Sequence, residues 1–97
     1  MATTPIEESS RPIIELYIAG DAPGSLRART AVQNFLQQTG IAADLEVVDV
    51  LREPSRALAA GLLATPTLVI YTSQRITRVV GDRFEEQSLR TWLGTPS

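Results

Sequence analysis

The pair Thr65-Pro66, heading the apolar run Thr67–Tyr71, is where this chain comes closest to reactive chemistry. Only X-Pro bonds reach cis cheaply, at about 0.5–1 kcal/mol over trans. A cis-proline at the head of a strand makes one wall of a thiol site when a cysteine faces it. Here nothing can face it, because the 97-residue chain has no cysteine and no histidine. That removes thiolate nucleophiles, Ser-His triads, and metal sites built on His or Cys. Ser25 stands near the expected place of such a cysteine, and its hydroxyl would at most assist a glutathione thiolate. No glutathione-clamping pattern accompanies it. The expectation is a protein with no catalytic residue, no metal ligand and no cofactor site.

Charge supplies the remaining candidates. The nine basic residues are all arginine against eleven acidic ones, for a net charge of −2. No basic stripe stands out to offset phosphates, which argues against nucleic acid as a partner. Arginine favours bidentate contact with carboxylates, so Arg52, Glu53 and Arg56 form a candidate polar rim for a protein partner. Asp44 and Glu46 join them, and they also suit an edge strand, where charge discourages strand-to-strand aggregation. No apolar run approaches the ~20 residues needed to cross a membrane. The polar start of the chain lacks the pattern of a signal peptide. A cytoplasmic location is therefore expected.

These residues have to be positioned by regular elements. Residues 1–12 read as a disordered tail and 13–97 as one domain. Ile13–Ala19 is apolar apart from Glu15, the pattern of a strand buried on both faces. Gly20–Ser25 reads as a loop in which Asp21 or Ser25 caps the next helix. From Leu26 to Gln38, the residues Ala28, Ala31, Val32, Phe35 and Leu36 fall on one helical face, and Gly40 stops it. Leu45–Leu51 predicts a second strand. Pro54 opens a short helix running to Leu62 or Leu63. Strands at Thr67–Tyr71 and Ile76–Val80 follow, the latter at an edge, joined by the turn Thr72-Ser73-Gln74. Gly81 and Asp82 end the fourth strand. A final helix over Phe84–Leu93 gathers Leu89, Trp92 and Leu93 on one face. The order β-α-β-α-β-β-α, with a right-handed first crossover and an antiparallel last pair, predicts an α/β thioredoxin-like domain with a four-stranded mixed sheet.

Five segments in this order resemble one family. They are Glu15–Gly20, then Pro23 with Ser25–Ala28, Val48–Leu51 with Pro54, Leu63–Leu68, and Arg78–Asp82. Together they are similar to the KaiB family of circadian clock proteins. The resemblance implies a non-enzymatic protein that binds a KaiC-type ATPase and modulates its phosphorylation cycle. It also implies a metamorphic fold, with a tetramer-type arrangement as the alternative to the thioredoxin-like one. On that reading Thr65, Pro66, Gly81, Asp82 and Trp92 help decide which fold the C-terminal half adopts. Trp92, beside Leu89 and Leu93, favours the thioredoxin-like form.

The departures from the family pattern matter too. Where clock members tend to carry lysines, this chain has Asp44 and Glu46 on the second strand, and Ala60 and Gly61 ahead of Ala64-Thr65-Pro66-Thr67. A reversed charge counts against a KaiA-like partner on that strand. Docking on the KaiC-type ATPase is expected to use Asp44, Glu46, Arg52, Glu53, Arg56 and Ala60, with self-association open from monomer to tetramer. Two other readings remain at this level. One is the KaiB-like sensor domain of a histidine kinase, which Met1 and the short Gly94–Ser97 ending disfavour. The other is a cysteine-less thioredoxin- or glutathione-transferase-like binding domain.

Overall fold

The computed structural model describes residues 11–61 and 64–94. Its elements are β1 (Ile13–Ile18), α1 (Pro23–Thr39), β2 (Asp44–Asp49), α2 (Pro54–Ala59), β3 (Thr67–Tyr71), β4 (Ile76–Val80) and α3 (Glu86–Leu93). The strands form one sheet in the order β2-β1-β3-β4. β1 runs parallel to β2 and antiparallel to β3, and β4 is antiparallel to β3. This is the expected mixed sheet with β4 at an edge, in the thioredoxin-like order.

Strand alternation gives the sheet two unlike faces. Ile14, Leu16 and Ile18 of β1 and Leu68 and Ile70 of β3 point to one face. There they pack with Ala28, Val32 and Phe35 of α1 and Leu89 and Leu93 of α3. Trp92 and Val79 lie partly buried against the same core. Arg90 of α3 stacks 5.9 Å from the Phe35 ring centre, adding a cation–π contact between the two helices. The opposite face holds a smaller cluster of Tyr17, Val48 and Val69, flanked by Val50, Ala60 and Tyr71. Among the described helices, the short α2 alone lies on that side.

Several boundaries differ from the sequence expectation. α1 starts at Pro23, three residues ahead of the expected Leu26, because proline at the first helical position loses no hydrogen bond. Its N-cap is Ala22 with no side-chain cap, so neither Asp21 nor Ser25 caps it. The Ser25 Oγ instead accepts a hydrogen bond from the Ala19 N–H at 3.0 Å. α1 ends as expected on Gly40, whose left-handed backbone (φ 70) directs its N–H to Leu36 O. β2 spans Asp44–Asp49 rather than Leu45–Leu51, and the Asp49 Oδ1 turns the chain by accepting the Gly20 and Leu51 N–H groups. α2 ends at Ala59 and α3 begins at Glu86, both shorter than expected. Leu62 and Leu63 lie outside the described residues. So do residues 1–10 of the expected tail; its last two residues meet β2. Arg11 pairs with Asp44, and the Asp44 N–H donates to Pro12 O.

Leu68 has no exposed surface and sits mid-sheet between the β1 and β4 side chains. Truncation there leaves a cavity that the neighbouring strands cannot close. Leu68→Ala is expected to cost about 2–5 kcal/mol, read as a lower urea midpoint at unchanged slope.

Candidate partner-docking site

The register of β1 and β2 sets Glu15 directly beside Glu46. Like charges opposed across two strands repel, so the pair needs a cation. Arg56 of α2 provides it. Its guanidinium reaches both carboxylate oxygens of Glu46, in a fork matched to carboxylate geometry. It also approaches Glu15 Oε2 at 3.7 Å and Glu53 Oε1 at 3.8 Å. The hydrogen bond from Arg56 holds the Glu46 carboxyl below its ordinary range. The same bond raises Arg56 further above its own.

The other oxygen of Glu15 faces inward. Oε1 accepts hydrogen bonds from the Tyr17 hydroxyl at 2.8 Å and the Tyr71 hydroxyl at 3.0 Å. Burial, then the hydrogen bond to Glu15, pushes the Tyr17 phenol up to about 12. Tyr71 is raised for the same reasons in the same order. β1, β2, β3 and α2 are thus joined through one polar network.

The expected docking residues fall around this network in different ways. Glu46, Glu53 and Arg56 meet in it. Arg52 lies beside it, 4.0 Å from Asp49. Asp44 is at the far end of β2 with Arg11. Ala60 takes part through its backbone, its carbonyl accepting from Arg78 of β4 at 2.8 Å. Leu51 ahead of α2 and Leu58 on it are 71% and 82% exposed. A shallow cleft of about 430 Å³ near the C-terminal ends of β1 and β2 is lined by residues including Asp21, Arg29, Asp49, Arg52 and Glu53. Three carboxylates face two arginines there, so the cleft carries a slight excess of negative charge.

The sequence reading left out Glu15, Tyr17, Tyr71, Leu51 and Leu58 as site residues. One signal for Glu15 was present: a lone carboxylate in an apolar strand requires a partner.

The residues expected to decide the fold gather around the start of β3 and the end of β4, apart from Trp92 on α3. The Thr65-Pro66 bond is cis. Pro66 O accepts the Gly81 N–H at 2.9 Å. Gly81 has φ +112, a conformation open to glycine but strained for other residues. Asp82 pairs with Arg27 of α1, and that hydrogen bond lowers the Asp82 carboxyl. Gly24 lies between Pro66 and Asp82. Ser25 is 1% exposed and its hydroxyl accepts the Ala19 N–H, so it is buried and engaged rather than open to a ligand. That geometry disfavours a glutathione role. Among the described residues no group of His, Cys, Asp or Glu is placed to hold a metal ion. None of the described helices is long and apolar enough to cross a membrane.

Tyr17 and Tyr71 are the chain's two tyrosines, so absorbance titration of phenolate reads them directly. Both are expected to ionise above the ordinary value of 10.0, Tyr17 near 12. Folding favours the neutral phenol, so its contribution to stability is complete below pH 10 and is lost as pH rises through about 12. Glu15→Gln should move both titrations downward. Ionisation of both tyrosines at pH 10 in the folded protein would contradict the network.

Among solved structures, the chain is similar to chloroplastic thioredoxin z, with a TM-score of 0.75 at 15% identity over 97% of this chain and 88% of that one. It is also similar to thioredoxin from Fasciola hepatica, with a TM-score of 0.70 at 20% identity over 91% of this chain and 83% of that one. These likenesses establish the fold. Among curated proteins, it is 42% identical over 72% of its length to the circadian clock oscillator protein KaiB of Prochlorococcus marinus, covering 61% of that protein. It is 40% identical over 72% of its length to KaiB of a Synechococcus strain, covering 64% of that one. It is also 35% identical over 79% of its length to KaiB1 of a Synechocystis strain, covering 74% of that protein. The match thus spans less than two thirds of the first two relatives. The family model described as the KaiB domain matches residues 15–95, and the chain belongs to the KaiB family.

Proposed function

We propose that this chain is a non-catalytic, cytoplasmic clock or signalling protein that docks on a KaiC-type ATPase and modulates its phosphorylation cycle. Its relatives are named as circadian clock oscillator proteins. The absence of cysteine and histidine leaves the thioredoxin-like scaffold without a thiol or imidazole for chemistry. The observation that carries the reading is the surface around α2. Leu51 and Leu58 stand exposed there beside Arg52, Glu53 and Arg56. Apolar anchors within a charged rim are the usual anatomy of a protein interface.

The charge on β2 supports a partner other than a KaiA-like one. Asp44 and Glu46 give that edge a negative face, and both are already engaged by arginines of this chain. If the chain also populates a second fold, apparent affinity falls by the fraction that is binding-competent.

Co-purification with the host's KaiC-type ATPase in both nucleotide states is the direct test, run beside a mass measurement of the free protein. A complex is expected in one of the two states. Leu58→Glu places a charge where an apolar contact is needed and should weaken capture by ~10-fold or more. Failure to capture the ATPase in either state would remove the proposal.

A further inference from the structure

α2 is weakly anchored by apolar means. It has six residues, none of them buried, and no side-chain cap at its N-terminus. So short a helix has little stability of its own. Among the described residues, three polar contacts and one apolar contact tie it to the sheet. Arg56 reaches Glu46 and Glu15, Arg78 donates to Ala60 O, and Ala60 packs beside Tyr17, Val48 and Val69.

Of the described side chains on α2, Arg56 alone joins it to β1 and β2 by ion pairs, and it does so where two carboxylates stand side by side. We propose that Arg56 is a positioning residue: it latches α2 onto the Glu15–Glu46 pair and so presents the docking surface, which salt and acid then loosen. This rests on the reading of α2 as the docking element, but the latch can be measured without a partner.

The groups that set its pH response come from every element around it. Glu15 faces Arg56 from β1, Glu46 from β2 and Glu53 from the start of α2. Tyr17 of β1 and Tyr71 of β3 are bonded to Glu15, and Arg78 of β4 holds the end of α2. Glu46 is depressed by Arg56. Its contribution is therefore complete above the ordinary glutamate value and is lost as pH falls through the lowered one. The tyrosines remain neutral across that range and do not add to the acid response. Arg56, raised further above its ordinary value, remains charged.

The test is amide hydrogen exchange on the full chain without partner. The Ala60 and Gly61 amides, which donate to Arg56 O and Leu58 O, report on α2. Arg56→Gln is expected to speed their exchange by ~10-fold or more while the Leu16 and Leu68 amides keep their rates. Arg56→Lys keeps the charge, loses the fork and should fall between the two. Glu46→Gln should flatten the acid dependence of α2 protection after correction for intrinsic exchange. Unchanged exchange in Arg56→Gln would overturn the latch. Equal acceleration of the core amides would overturn it too, since Arg56 would then act on global stability. Absence of any rescue by Arg56→Lys would reduce the residue to packing and reject the proposal. If α2 loosens as expected while capture of the ATPase is unaffected, the latch stands and the docking reading falls.

Discussion

Two glutamates set side by side by strand register are the constraint around which the rest of this molecule is arranged. Glu15 cannot move one position along β1 without entering the core between α1 and α3. It therefore has to lie on the other face, next to Glu46. Once there, the pair requires a cation over it and hydroxyls for the inward oxygen. Arg56, Tyr17 and Tyr71 meet those needs. The cation comes from α2, so relieving repulsion in the sheet also fixes where the helix lies. Leu51 and Leu58 are left at the surface as a result.

The two faces of the sheet consequently divide the work. On one, branched and aromatic side chains from β1, β3, α1 and α3 make a continuous apolar core. It holds the fold together whatever happens across the sheet. On the other, a small apolar cluster lies under a short helix held largely by charge. An element tied down by charge responds to ionic strength and pH in a way that a buried one does not. A regulatory contact is well placed on such a face, because altering it leaves the core intact.

The elements were legible because their periodicities are strong and lie within one segment each. The apolar stripe of α1 and the continuous apolar run of β3 needed no tertiary information. Boundaries failed where one residue suits two roles. Pro23-Gly24-Ser25 reads as a turn, yet proline is also at home in the first helical turn, and packing on the sheet settled it as helix. The network around Arg56 was only half legible. Its arginine and two of its carboxylates stand out as charges near the second helix. Glu15 joins them only through the register that places it next to Glu46, 31 residues along the chain. Tyr71 lies 56 residues from Glu15 and enters by the same route. Such pairings depend on strand order, which local pattern does not encode.

Ser25 shows how far this chain stands from thiol chemistry. A thiol reaction needs both a reactive atom and access to it, and residue 25 supplies neither. Residue 25 holds oxygen rather than sulfur, and its side chain is turned inward onto the Ala19 N–H. A cysteine put back at this position would sit where apolar surroundings disfavour the thiolate. Thiol reactivity at this position would thus take two independent changes, a new sulfur and a new orientation.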